Sequence, residues 1–353
     1  MHPDGSEKKM GLKVISLFAG AGGLEIAVCS TGQVAKLVSS DAHPVFLETT
    51  RQNLSKHFPE VDHDCFVADA RRLEGKDLIS KLGGRPDLLM GGPPCDDFTS
   101  FGLKRGLEGG KGSLIYEFAR LVGETHPRAF LFENVPNLVG GFKAAFEALL
   151  GYLAEHGYSL TWGVLKACDF GAPTLRQRVF VVGWDSSIPG PEFQLPQPTH
   201  GPNEDQELFR KVSLRRFTTV SDVLDNLSDV ILSGHPDYPN HTGRTHRPET
   251  IEHMKTVPPG VAISKSYRYR APWDGLCRSL TAGMDNSTKS YIHPIHHREM
   301  SVREYARIHG FPDSWSFCGT HHNGIKQVAN AVPILLGTAV LHAIVDRFTR
   351  LGA

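Results

Sequence analysis

The chain of 353 residues carries 38 Lys+Arg against 38 Asp+Glu, a formal net charge of zero, with 40% hydrophobic and 22% charged residues. This composition can bury a core, which excludes a disordered chain, and the zero charge argues against a generic polyanion-coating protein without excluding a local basic cleft. No run approaches the ~20 apolar residues of a membrane span, and the opening MHPDGSEKKMG lacks an apolar signal segment, so a cytoplasmic protein with no membrane partner is expected. Length alone suggests one large domain with an appendage, or two domains.

The first element is a short apolar run from Lys13 that enters Phe18-Ala-Gly-Ala-Gly-Gly23 and then a helical pattern: strand, tight turn, helix. Further strands are predicted over 35–40, ending at Asp41; over 64–68, ending at Asp69; over 87–90, running into Gly91-Gly-Pro-Pro-Cys95; and over 128–132, ending at Glu133-Asn134-Val135. Helices are predicted over 113–124 and 143–156. Strands alternating with helices imply an α/β fold with a mostly parallel sheet covered on both faces. Ligands bind such sheets at the carboxyl edge, which would bring Asp41, Asp69, Cys95 and Glu133 to one rim.

After Trp184 the texture changes: prolines recur at 189, 191, 196, 198 and 202, and residues 186–297 are turn-rich with equal numbers of acidic and basic residues. Regularity returns with a helix over 300–309, capped by Ser301 with Glu304 in its first turn, and a final helix over 333–351 that is apolar on one face. The six cysteines are scattered and none forms a CxxC pair, which suits a reducing compartment and speaks against a disulfide framework. The 18 histidines include no HExxH pattern, and no metal site is expected.

The Gly-rich turn lets backbone approach a ligand closely, and a carboxylate about 20 residues downstream, Asp41, can accept from ribose hydroxyls. A nucleoside-type cofactor fits; the spacing is not a GxGxxG, and no Gly-Lys-Ser/Thr is present for a nucleoside triphosphate. The two prolines before Cys95 restrict the backbone and orient its side chain at the rim, and the glycine-rich stretch 102–112 can act as a lid over a thiolate nucleophile.

These residues resemble the cytosine-C5 DNA methyltransferases that use S-adenosylmethionine. The resemblance runs from about residue 13 to 345 through Ser16-Leu-Phe-Ala-Gly-Ala-Gly-Gly-Leu-Glu25, Gly91-Gly-Pro-Pro-Cys95, Glu133-Asn-Val135, Arg176-Gln-Arg-Val-Phe180, Arg303-Glu-Tyr-Ala-Arg-Ile-His-Gly-Phe-Pro-Asp313 and Gln327-Val-Ala-Asn-Ala-Val-Pro333. It implies a Rossmann-like methyltransferase fold with a smaller irregular target-recognition domain: a catalytic, cofactor-binding domain over 13–185 rejoined by 327–353, the recognition domain over 186–297, a connecting segment over 298–326 and a flexible tail over 1–12. Cys95 is implied as the nucleophile that adds to C6 of cytosine, Glu133 as the general acid at N3, Asn134 at the exocyclic amine, Arg178 at the cytosine carbonyl oxygen and Arg176 as its support. The cofactor would be held by Phe18, Ala19, Gly20, Gly22, Gly23 and Leu24, by Asp41 at the ribose, by Asp69 and Ala70 at the adenine, by Pro94 and Leu114 near the methyl donor, and by Asn330, Ala331 and Val332 from the C-terminal side.

The partner implied is double-stranded DNA, with the target base extruded from the helix. A monomer is expected, belonging to a restriction-modification system with a cognate restriction endonuclease encoded nearby or to a phage or orphan modification system without one. In the recognition segment, Lys265, Arg268, Arg270 and Arg278 interleave with aromatics and are the expected DNA contacts, with 242–247 a second basic patch. A surface polarised toward this patch and the cleft follows. Three positions depart from the family pattern: Asp96 where Gln is usual, Thr174 where Gln is common, and Ala329 in place of Gly. The alternatives are the related tRNA cytosine-C5 methyltransferases, against which the separate recognition segment and the lack of a Cys-Phe-Thr segment speak, and a non-catalytic DNA-binding relative, against which Cys95, Glu133 and Arg178 speak.

Overall fold

The computed structural model describes residues 11–94, 114–202, 214–227, 229–261, 269–281 and 290–351. Cys95, Asp96, the lid segment, Lys265 and Arg268 lie outside the described residues.

Seven strands form one sheet: β1 (Leu12–Leu17), β2 (Val34–Asp41), β3 (Asp62–Val67), β4 (Leu88–Gly91), β5 (Ala129–Asn134), β6 (Tyr158–Lys166) and β7 (Gln177–Asp185). Their order is β3-β2-β1-β4-β5-β7-β6. β1 to β5 run parallel, whereas β7 is antiparallel to both its neighbours. The α/β expectation therefore holds, with an antiparallel strand inserted beside the parallel set. β1 begins at Leu12, inside the stretch expected to be a tail.

The apolar residues of the central strands alternate between two cores, as the two-residue period of a strand requires. Val14, Leu88, Met90, Leu131 and Val182 face one core, shared with α1 (Gly23–Cys29) and α10 (Ile334–Arg350). Ile15, Leu89, Phe130, Phe132 and Val181 face the other, shared with α3 (Gly75–Leu82), α4 (Leu114–Thr125) and α5 (Lys143–Glu155). Each large apolar side chain buried in this way contributes roughly 1.5–3 kcal/mol. Both faces are thus covered, which a parallel sheet needs. The helix bounds fall within two residues of those predicted. Among the described residues no single helix is long and apolar enough to cross a membrane, and the apolar stripe of α10 is spent against α1.

Beyond β7 come the two-residue strands β8 (His200–Gly201), β9 (Arg215–Arg216), β10 (Tyr269–Arg270) and β11 (Tyr291–Ile292), with the helices α6 (Val220–Leu224) and α7 (Pro248–Thr256). Then α8 (Val302–Ile308) and α9 (His321–Asn330) lead back toward the sheet. α8 starts at the predicted cap: the Ser301 hydroxyl accepts from the Glu304 N–H at 3.2 Å, and the Glu304 carboxylate accepts from the Ser301 N–H at 2.8 Å. The remaining charge on Glu304 is answered by Arg298 at 2.8 Å. Residues 173–175 clasp this region to the sheet domain, since Cys277 N–H donates to Pro173 and Leu175 N–H donates to Cys277.

Candidate active site

At the carboxyl end of β1 the chain turns with Phe18, Gly20 and Gly22 all at positive φ, 58°, 57° and 89°. Gly22 combines that conformation with a lack of room: a Cβ there would meet the Trp315 ring at 2.7 Å. The Trp315 indole N–H donates to Ala21 O at 3.1 Å and braces the turn from the C-terminal half of the chain. Asp41 ends β2 beside this turn. It accepts from Gly20 N–H at 2.8 Å and from His43 N–H at 2.7 Å, while burial pushes its pKa up. Asp69 follows β3 and caps its own turn; two nitrogens of the Arg71 guanidinium grip its carboxylate, which lowers its pKa.

A cavity of about 890 Å³ opens at this rim, lined by Phe18, Ala19, Gly20, Gly23, Leu24, Asp41, Asp69, Ala70, Pro94, Leu114, Asn330, Ala331 and Val332. One expected cofactor residue is absent from its wall. Gly22 faces Trp315, so its part is to make the turn rather than to touch a ligand. The C-terminal segment closes the cavity where expected: a Cβ on Gly23 would meet Val332 O at 3.2 Å. The donor set fits an extended nucleoside with a cationic tail, because it offers a backbone turn, apolar walls and the carboxyl groups of Asp41, Asp69 and the fully buried Glu25.

The same cavity is also lined by Glu133, Asn134, Arg176 and Arg178. Glu133, on β5, is 7% exposed and forms an ion pair with Arg178 Nε at 2.7 Å. Burial pushes the Glu133 pKa up, and the nearby Arg178 and Arg176 only partly oppose it. The second glycine of the Gly-Gly-Pro-Pro turn is explained here. A Cβ on Gly92 would sit 2.4 Å from Glu133 Oε2, so only glycine leaves that carboxyl its place. Arg178 spends Nε on Glu133 and Nη1 on Gln177 O, leaving Nη2 uncommitted among the described residues.

Asn134 lines the same cavity, and its amide is tied to the chain around it. Its amide nitrogen donates to Pro93 O at 2.9 Å and its oxygen accepts from Val135 N–H at 2.8 Å, so it holds the Pro-Pro turn that leads into Cys95. Arg176 lines the cavity near Glu133, is 2% exposed, and donates to Leu280 O and Ala329 O. Its two partners lie in the region beyond β7 and in α9, so one guanidinium joins three parts of the chain. Two departures from the family pattern acquire a physical setting. Thr174 is fully buried in the clasp with Cys277, and Ala329 supplies the carbonyl that Arg176 holds.

The model of the C-5 cytosine-specific DNA methylases matches residues 12–346. The chain belongs to this family. The Type II methyltransferase M.SacI of Streptomyces achromogenes is 30% identical, with 95% of this chain and 93% of that protein covered. M1.HphI of Haemophilus parahaemolyticus is 28% identical, covering 96% and 88%. Among solved structures, a prophage-encoded protein of E. coli described as a DNA modification methyltransferase superposes with a TM-score of 0.75 at 24% identity, covering 96% of this chain and 100% of that one. S. pombe Dnmt2 follows at 0.65 and 16%, covering 96% and 99%. These two likenesses establish the fold alone. The activity class of this methylase is DNA cytosine-C5 methyl transfer.

Of the basic residues expected on DNA, Arg278 is exposed, its guanidinium 5.0 Å from the Tyr269 ring centre. Arg270 is a correction. It is 4% exposed and donates to the carbonyls of Val257 at 2.9 Å and His293 at 2.7 Å, and to that of Met254. A guanidinium presents five N–H groups and no acceptor, so it can tie several loop carbonyls together from within. Arg270→Ala is therefore expected to cost about 2–4 kcal/mol in denaturant unfolding without a selective loss of DNA affinity. In the second basic patch, Arg244 pairs with the buried Glu299 at 3.0 Å.

Sequence reasoning passed over Glu25 although it lies inside a quoted motif. The signal was available: it is the single charged residue in Gly-Leu-Glu-Ile-Ala-Val-Cys, and every residue of that helix is buried.

Proposed function

We propose that this methylase modifies C5 of a cytosine extruded from a specific duplex DNA site, through a covalent bond between Cys95 and C6. C5 is a weak nucleophile until a thiolate adds at C6 and makes the ring enamine-like. The Cys95 sulfur forms that bond while Glu133 gives its proton to N3 and Arg178 takes the carbonyl oxygen. S-adenosylmethionine, when bound, supplies an electrophilic methyl group. The C5 proton then passes to water or hydroxide, the bond between Cys95 and C6 breaks with the sulfur leaving as thiolate, and N3 returns its proton to Glu133 as the neutral methylated base is released.

The observation that carries this reading is the state of Glu133. Burial raises the pKa of this carboxyl and so favours its proton-bearing form over that of an exposed glutamate, and an arginine beside it supplies a charged donor for the neighbouring oxygen. The cofactor residues proposed are those lining the Gly-rich end, with Asp41 at the ribose and Asp69 and Ala70 at the adenine. The recognition region, with Arg278 exposed on it, would read the site. The Type II relatives favour a role beside a cognate restriction endonuclease.

The test is a duplex carrying 5-fluorocytosine in place of cytosine, whose C5 fluorine cannot leave as a proton does. The wild type should form an adduct with DNA that survives denaturing electrophoresis. Cys95→Ala should bind S-adenosylmethionine as before and form none, with transfer reduced by at least about 10⁴-fold. Trapping by an RNA version and not by DNA would give the substrate to tRNA; transfer retained by Cys95→Ala would remove it as the nucleophile.

A further inference from the structure

The reaction as proposed leaves one buried acid without a task. Glu25 is the third residue of α1, fully buried, and part of the wall of the cofactor cavity. Ser16 on β1 and Ser39 on β2 bring their hydroxyls toward it, near enough to favour its ionised form. Yet neither carboxyl oxygen, nor either hydroxyl, has a hydrogen-bond partner of good geometry among the described residues. The other titratable groups around it are Asp41 at the end of β2, Cys29 on α1 and Cys65 on β3. Asp41 adds like charge, and both thiols are pushed up by burial and by Glu25 itself. Among the described residues, no cation is one of the leading influences on it. Burial accordingly pushes the Glu25 pKa up to about 7.

Buried carboxyls are usually paired, because leaving one without partners is costly. A carboxyl that lines a ligand cavity, with no cation of its own, lacks what a cationic ligand would bring. On the cofactor reading above, the ligand carries two cations. On that reading the sulfonium would sit on the Pro94 side of the cavity, which leaves the α-ammonium of the amino-acid tail to meet the wall beside the Gly-rich turn.

We propose that Glu25 is the counter-ion for the α-ammonium of S-adenosylmethionine, and that it gives up its proton to solvent when the cofactor binds. The neutral acid becomes a carboxylate, the ammonium keeps its charge, and one proton leaves for bulk water. Ser16 and Ser39 then have an anion to donate to. In the free protein the folded pKa lies above the unfolded value of 4.5, so the contribution of Glu25 to stability is full below 4.5 and is lost as pH rises through about 7. The cofactor restores it, so cofactor affinity should rise with pH over the interval up to about 7.

The test is titration calorimetry near pH 6.5 in two buffers of different ionisation enthalpy, which counts protons released per cofactor bound. Three ligands are compared: S-adenosylmethionine, its demethylated product, which keeps the ammonium, and an analogue lacking the α-amino group. The wild type should release a substantial fraction of one proton with the first two and almost none with the third. Glu25→Gln should weaken the first two by about 10- to 100-fold, abolish their proton release and leave the third nearly unchanged. Equal weakening of all three ligands, or equal proton release with and without the amino group, would overturn the assignment; the second comparison needs only the wild type. Failure of the wild type to bind any of the three would instead overturn the cofactor reading, and this assignment with it.

Discussion

Glu133→Gln is expected to lower kcat for methyl transfer by about 10²–10⁴-fold while leaving the fold and cofactor affinity near wild type. Glutamine keeps the size and one acceptor oxygen of the side chain, so its ion-pair partner Arg178 retains a hydrogen-bond acceptor, but no transferable proton remains. The pH profile separates this from a structural effect. Burial sets the Glu133 pKa above its ordinary value, and a general acid works only while protonated, so activity should fall as pH rises through that pKa. In Glu133→Gln this alkaline limb should vanish. Stability carries the same sign: the folded pKa exceeds the unfolded one, so the contribution of Glu133 is lost as pH rises through it, and the variant should be relatively more stable at alkaline pH.

Gly92→Ala provides a second approach to the same group. The added methyl would sit 2.4 Å from Glu133 Oε2, and the carboxyl must move. Misplacing a catalytic group by about 1 Å can cost about 10²-fold. Steady-state kinetics at saturating cofactor would read both variants; wild-type kcat in either would deny Glu133 its role as acid.

Arg176→Ala is expected to cost roughly 3–5 kcal/mol of stability, read as a fall in the denaturant midpoint at constant slope. Three losses combine. The Leu280 and Ala329 carbonyls lose a charged donor, a large buried side chain leaves a cavity, and the joint between sheet domain, distal region and α9 is cut. Arg176→Lys should recover only part, since a single ammonium cannot span two carbonyls as a planar fork does. A variant with wild-type stability and lost transfer would instead place Arg176 on the substrate.

Much of this molecule was legible in the order of its residues. β1 to β5, the carboxylates at their ends and the Ser301 cap are local matters, set by two-residue periodicity, turn chemistry and short-range hydrogen bonding. The motifs that mark the family are equally local. β6 and β7 were not anticipated as an antiparallel pair, because the apolar run of β7 satisfies a buried strand of either direction, and only its neighbours decide which way it runs. Arg270 shows the same limit. Tyr-Arg-Tyr-Arg reads as a basic stripe until the carbonyls around Arg270 are known.

The balanced charge of the chain takes its meaning from this division. By itself the sequence determined that acids stand at the strand ends, that a Gly-rich turn faces them, and which family those residues belong to. It could not determine which charges would be taken out of water. Burial is a property of what packs on top, often from hundreds of residues away: Trp315 braces the turn at Ala21, and Ala329 receives Arg176. Desolvation then decides the chemistry, raising Glu133 and Glu25 toward the neutral form while Asp69, open to solvent and gripped by Arg71, stays charged. Carboxyl groups of like chemistry become a proposed acid, a proposed counter-ion or an ordinary carboxylate only when the tertiary structure chooses their surroundings.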